Sequence, residues 1–256
     1  MAKFGESRDI ARTVPANGKN PMKTGRETAI KPERGTELSI GLHGFRFYPG
    51  YLDRGRQERL VVVLRKVFAA APLFTSRMPK SGRPMSVRVS NCGPLGWLSD
   101  AHGYRYEPAH PDTGHAWPPI PDALAAIWND IARFPHPPEA CLINFYGPGA
   151  KMGLHQDRDE EDFAAPVVSL SLGDSCLFRI GGQRRGDPTR SLRLNSGDAL
   201  VLGGDARLAF HGVDRIYPGT STLLAEGGRI NLTMRRVTRP IDWQPPHPAE
   251  AVQDRC

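Results

Sequence analysis

From residue 140 onward the chain breaks into short apolar runs: LINFY, PVVSLSL, CLFRI, SLRL, ALVL, RLAFHGV and RINLTMRRV. Gly and Asp turns punctuate them at short intervals. Many short strands at such spacing predict an antiparallel sandwich or barrel. Two helices flank them. Asp53 to Ala71 sets Leu60, Leu64, Val67 and Phe68 at helical spacing, and Pro72 ends the run. Pro121 and Asp122 precede ALAAIWNDIARF, where Leu124, Ile127, Trp128 and Ile131 share a face. Both read as packing helices, which makes the chain mainly β with flanking helices. Between them, Leu73 to Pro119 holds strand-like MSVRVSN, several Gly and Pro turns, and the aromatics Trp97, Tyr104, Tyr106 and Trp117, which read as exposed. Such a segment could cover a site.

Residues 1–37 are rich in Lys, Arg, Gly and Pro and have no apolar period, so they are expected to be a disordered basic arm. The arm could touch phosphate, or it could be a solvated tail with no role. A sequence of 256 residues, 39% of them hydrophobic, can build a sizeable core. Its 34 Lys and Arg against 27 Asp and Glu leave a net charge of +7, which favours encounter with a polyanion such as nucleic acid. Cys92, Cys141, Cys176 and Cys256 form no CxxC pair, which argues against a zinc ribbon or a disulfide framework and for a reducing compartment. No apolar stretch has the length of a signal peptide or a membrane span, so a cytoplasmic location without a membrane is expected.

The chemistry is concentrated in three places. His155 and Asp157 are one residue apart, so an extended backbone projects both to one side, where they could share a metal ion. An HxD pair is weak alone. His211 in RLAFHGV strengthens it, because two His and one carboxylate with open positions form the facial arrangement of non-haem iron oxygenases. In RINLTMR, alternation puts Arg229, Asn231, Thr233 and Arg235 on one face and Ile230, Leu232 and Met234 on the other. A half-buried strand would send those arginines to solvent; a barrel that holds a dicarboxylate would bury them, since Arg clamps a carboxylate with two parallel hydrogen bonds. In LINFY, Leu142, Asn144 and Tyr146 likewise share a face.

Taken in order, PMSVRVSNCGPLGWL, ACLIN, NFYGPGAKMGLHQDRDE, APVVSLSLG, FHGV and RINLTMR resemble the AlkB family, over about residues 38–237. The resemblance implies a double-stranded β-helix, or jelly roll, with an N-terminal nucleotide-recognition lid at about 73–119 and a C-terminal tail over 238–256. It implies that His155, Asp157 and His211 bind iron(II), and that Asn144, Tyr146, Arg229, Asn231 and Arg235 hold 2-oxoglutarate, both arginines meeting its far carboxylate. Trp97 resembles the wall on which a flipped base stacks, with the His155 ring opposite. Met85, Tyr104 and Tyr106 resemble lid residues, Asp159 a reader of the base edge, and Arg185 a substrate contact. The implied reaction is oxidative dealkylation of 1-methyladenine and 3-methylcytosine in DNA, with single strands preferred. It consumes oxygen and 2-oxoglutarate and releases succinate, carbon dioxide and formaldehyde. An RNA or protein demethylase would share the iron and cosubstrate residues, and a jelly-roll binding module without chemistry would not need them. A monomer is expected.

Overall fold

The computed structural model describes residues 38–39 and 43–240; the predicted arm over 1–37, and the tail beyond residue 240, lie outside the described residues. The described chain forms thirteen strands, two α-helices and one 3₁₀ turn, both α-helices lying before the last eight strands. A seven-stranded antiparallel sheet has the order β1 (Leu38–Ser39), β2 (Phe45–Tyr48), β11 (Ala199–Leu202), β8 (Val167–Gly173), β13 (Arg229–Arg235), β6 (Ala140–Tyr146), β3 (Arg88–Cys92). A four-stranded sheet has the order β10 (Arg190–Leu194), β9 (Ser175–Ile180), β12 (His211–Tyr217), β7 (Met152–His155). A separate hairpin pairs β4 (Gly96–Asp100) with β5 (Gly103–Glu107). This is the predicted jelly roll.

Two apolar layers follow from strand alternation. Ile143 on β6 and Ile230, Leu232 and Met234 on β13 pack against helix residues Leu60, Leu64, Leu124 and Trp128. Leu142 and Tyr146, on the other face of β6, pack against Phe178, Ile180 and Val213 of the smaller sheet. The helices therefore cover the face of β13 that a simple half-buried strand would bury against its core. Its polar face is left to line the space between the sheets. Arg229 and Arg235 are accordingly 1% and 5% exposed, and the solvent-facing alternative is excluded. Complete burial of side chains such as Leu64, Leu124 and Trp128 is worth roughly 1.5–3 kcal/mol each.

Helix α1 spans Arg54–Ala70, and Asp53 caps it by accepting a hydrogen bond from Arg56 N at 2.8 Å. Helix α2 spans Asp122–Ile131, ending before the ARF residues that the apolar period had included. Arg133 has φ of 55°, which stops the helix there. The run RLAFHGV also differs from expectation: Gly204–Leu208 forms a 3₁₀ turn, and the strand starts only at His211. Trp117, expected to be exposed, is 6% exposed and packs under the β4–β5 hairpin. A Cβ on Gly96 would lie 2.4 Å from the Trp117 indole, so only glycine lets the hairpin sit that close. The first residues of the predicted tail are pinned to the domain, because Thr238 N donates to Glu139 Oε2 at 2.7 Å.

Candidate metal and cosubstrate site

His155 ends β7 and His211 begins β12, and the two are direct partners across the antiparallel ladder. Asp157 lies just past the end of β7 and turns back towards both. The His155 Nε2 to Asp157 Oδ1 distance is 3.7 Å, and the His211 Nε2 to Asp157 Oδ2 distance is 3.9 Å. One ligand atom from each of the three lies within 4.8 Å of the others, the one such cluster among the described residues. Each imidazole has its Nδ1 2.9 Å from a carbonyl two residues earlier, Gly153 O for His155 and Ala209 O for His211. A carbonyl can only accept, so Nδ1 carries the proton and Nε2 presents its lone pair to the centre of the cluster. Burial, and then the neighbouring His155, push the His211 pKa down to about 4, against the pull of Asp157. The ring is thus neutral and able to ligate. Burial alone would raise the Asp157 pKa, but Arg235, His211, His155 and Arg207 outweigh it and hold the carboxyl well below the usual range.

The inner face of β6 and β13 carries polar groups that protein partners leave unfinished. Arg229 Nη2 donates to Ser171 Oγ at 2.7 Å and Nη1 to the Asp174 carbonyl at 3.4 Å, while its buried Nε has no partner. No carboxylate among the described residues pairs with this guanidinium, and the Asp174 carboxylate is committed to the amides of Thr220, Ser221 and Gly228. Asn144 Oδ1 and Arg235 Nη1 are also buried without partners. A buried cation with neutral partners only is costly unless an anion joins it. A dicarboxylate in this space satisfies that need, and two imidazoles with a carboxylate suit iron(II). The residues present therefore fit both groups.

Arg229 and Arg235 do not converge on one carboxylate. They stand at opposite ends of β13, roughly 20 Å apart along the strand. Arg235 Nη2 donates to Asp157 Oδ2 at 2.9 Å, which puts its guanidinium at the metal end. Asn231 lies between them, opposite Asn144 in the β6 ladder, and its amide donates to Ser169 Oγ at 2.8 Å. Tyr146 is buried, and burial pushes its phenol pKa up against the pull of Arg229, so it remains a donor.

Two residues that the motifs did not single out complete the metal end. Glu160, 6% exposed, accepts from Arg207 Nη2 at 2.9 Å and from the Tyr106 hydroxyl, and lies 3.4 Å from Arg235 Nε. Arg207, 2% exposed, also donates to the carbonyls of Asp157 at 2.6 Å and Ala165 at 2.8 Å. The sequence signal was present, an acidic residue three positions after Asp157 and an arginine four before His211. Lone charged residues in turns usually face water, so it was not selective.

Above this end stands the hairpin. Trp97 and Tyr104 stack with centroids 5.7 Å apart and planes 17° from parallel, and Trp97 Nε1 donates to Asp159 Oδ2 at 3.0 Å. Asn91 fixes Trp97 through both backbone groups, at 3.0 and 3.2 Å. Tyr104 is exposed and Tyr106 half-buried on Glu160. Met85 is half-buried beside Ser76, its N donating to Ser76 O at 2.9 Å. Arg185 is exposed in the β9–β10 loop, with its guanidinium 5.0 Å from the Phe210 ring.

Similarity to known proteins agrees with this geometry. The sequence profile of the 2OG-Fe(II) oxygenase superfamily matches residues 44–235. The alpha-ketoglutarate-dependent dioxygenase AlkB homolog of Caulobacter vibrioides is 55% identical over 193 residues, covering 75% of this chain and 87% of the relative. The alpha-ketoglutarate-dependent dioxygenase AlkB of Escherichia coli K12 is 41% identical over 183 residues, covering 70% and 84%. The solved structure of OsALKBH1 superposes with a TM-score of 0.69 at 29% identity, covering 78% of this chain and all of that one. The chain belongs to the AlkB family of iron(II)- and 2-oxoglutarate-dependent dioxygenases, with oxygen as co-substrate.

Proposed function

We propose that this dioxygenase removes small alkyl groups from nucleic-acid bases, 1-methyladenine and 3-methylcytosine in DNA, as direct-reversal repair. The observation that carries the reading is the stacked Trp97 and Tyr104 hairpin, hydrogen-bonded through Trp97 to Asp159 two residues beyond the metal-ligating Asp157. A flat aromatic wall beside a carboxylate suits a planar base with exocyclic N–H groups. The net charge of +7 suits the polyanion that carries it.

In this reading His155, Asp157 and His211 hold iron(II) through Nε2, Oδ and Nε2. Arg229 takes the far carboxylate of 2-oxoglutarate, with Tyr146 and the Asn144–Asn231 pair along its length, and Arg235 serves the metal end. Iron(II) held there would supply the activation of oxygen, one oxygen atom going into succinate as 2-oxoglutarate loses carbon dioxide and the other into the hydroxyl group on the alkyl carbon. The hydroxymethylated base then loses formaldehyde. Trp97 stacks on the flipped base, Asp159 reads its edge, and Met85, Tyr104 and Arg185 border the entry. The target carbon lies on the Watson–Crick edge, so the base must leave its stack; a lesion that blocks pairing, or a single strand, lowers that cost. We assign residues 38–237 to the catalytic domain, with 73–119 as its lid, in a cytoplasmic monomer. Among the described residues no helix is long and apolar enough to cross a membrane.

The test is succinate and formaldehyde release from a single-stranded oligonucleotide carrying 1-methyladenine, with iron(II), ascorbate and 2-oxoglutarate, as DNA and as RNA. Stoichiometric release with restored adenine is expected on DNA. Turnover on RNA alone would move the substrate to RNA, and none on either would discard the base while leaving the dioxygenase.

A further inference from the structure

We propose that the outer face of the four-stranded sheet is a second nucleic-acid surface, carrying the phosphate backbone of the strand that flanks the base in the site. This rests on the base-dealkylation reading. In that sheet Cys176, Phe178, Ile180, Leu194, Val213 and Ile216 point into the core. Alternation therefore turns Leu177, Arg179, Arg193, Arg215 and Tyr217 outward. The register places Arg193 and Arg215 on either side of Leu177, with Arg179 two residues further along β9. The three arginines thus form one patch, roughly 10 Å across the strands and 7 Å along them.

Their partners leave the patch cationic. Arg179 Nη2 donates to the neutral Thr189 Oγ1 at 2.7 Å. Arg193 lies over the Tyr217 ring, 4.7 Å from its centroid. Arg215 is paired with Asp214 at 3.5 Å, but the side chains are 63% and 38% exposed, so water screens the pair. Both helices pack on the other sheet, so no described helix covers this face. Charges on an edge strand commonly guard against strand addition, which would account for Arg193 on β10. Arg179 and Arg215 lie on the two central strands of the sheet, where there is no edge to guard.

Guanidinium groups match phosphate oxygens in a bidentate manner, and the Tyr217 ring under Arg193 restricts where that guanidinium can go. The patch also connects to the site. The β9–β10 loop that leaves Ile180 has its Gln183 carbonyl 3.2 Å from the amide of Gln156, the residue between His155 and Asp157. A strand leaving the hairpin can pass over this loop onto the sheet.

The experiment compares the full chain with its R179Q/R193Q/R215Q variant on single-stranded 1-methyladenine oligonucleotides of 5 and 20 nucleotides. Anisotropy across a salt series gives affinity, and succinate release gives turnover. The variant should retain turnover and affinity on the 5-mer. On the 20-mer it should bind at least about tenfold more weakly, with a log–log salt slope smaller by about 2, the expectation for three lost phosphate contacts. Equal 20-mer affinity and slope in the two proteins would overturn the proposal. A change in sedimentation with 20-mer affinity intact would also overturn it, in favour of a face between copies of the chain. If the unsubstituted protein turned over neither oligonucleotide, the base-dealkylation reading would fail, whereas a 20-mer defect confined to the variant isolates the surface.

Discussion

Arg229 and Arg235 have the same side chain on the same strand face, yet their partners predict opposite consequences when they are removed. Arg229 has only neutral hydrogen-bond partners, Ser171 and the Asp174 carbonyl; the buried Asp198 carboxylate, itself held by the amides of Gly50 and Asn195, acts on it through space without pairing with it. Arg229→Met should leave the melting temperature of the ligand-free protein unchanged or raise it, because a buried cation is replaced by an apolar chain of similar reach. The same change should weaken 2-oxoglutarate binding at least tenfold by isothermal titration. Arg235 compensates Asp157 at 2.9 Å and Glu160 at 3.4 Å, both buried. Arg235→Met leaves Asp157 without its arginine partner, while Glu160 keeps Arg207 at 2.9 Å, and should cost about 3–5 kcal/mol of stability in denaturant titrations. If the two variants melted alike, the distinction between a waiting cation and a structural one would be wrong. Glu160 belongs with Arg235: Glu160→Gln keeps the hydrogen bond from Tyr106 but removes the charge facing Arg207. It should destabilise the protein while leaving iron(II) affinity within a few-fold of the original.

At the scale of elements, the β4–β5 hairpin is placed by contacts remote from its tip. Its base rests on Trp117 at Gly96, and its Trp97 backbone is held by Asn91. Gly96→Ala would put a methyl group 2.4 Å from the indole and should lift the hairpin. We expect the KM for oligonucleotide to rise at least fivefold, with the KM for 2-oxoglutarate unchanged, as steady-state kinetics would show; equal changes in both would mean that the hairpin also shapes the cosubstrate site. This dependence also marks what the sequence could reveal. The alternation in RINLTMR and LINFY made the inner polar face legible, because a period of two needs no tertiary knowledge. The pairing of His155 with His211 did not follow from spacing, since only the ladder between β7 and β12 brings them together. Trp117 reads as exposed because its burial depends on the Gly96–Glu107 hairpin, earlier in the chain, folding over it. The apolar run through Leu208, Ala209 and Phe210 looks like continuous strand and masks a 3₁₀ turn, so β12 begins later than the run implies. That turn puts Arg207 behind Asp157, a placement that a lone arginine at the head of an apolar run does not reveal.

For the whole molecule, the two sheets meet at the ligands. His155 and His211 belong to the four-stranded sheet, Arg229 and Asn144 to the seven-stranded one, so a cosubstrate bound as proposed, from metal to Arg229, would join them. Ligands that bind only the folded chain stabilise it by about 2.7 kcal/mol at a hundredfold excess over Kd. For a domain of this size that amounts to a rise in Tm of roughly 5–10 °C. Manganese(II), used so that no turnover occurs, should raise Tm alone, and 2-oxoglutarate should add its full increment only when the metal is present. His155→Ala should melt near the unliganded protein, since the half-exposed ring has little packing to lose, and should abolish both increments. An undiminished 2-oxoglutarate increment in that variant would mean that Arg229 holds the dicarboxylate without the metal. The metal and the cosubstrate would then bind independently, and the cosubstrate would not tie the metal ligands of one sheet to Arg229 of the other.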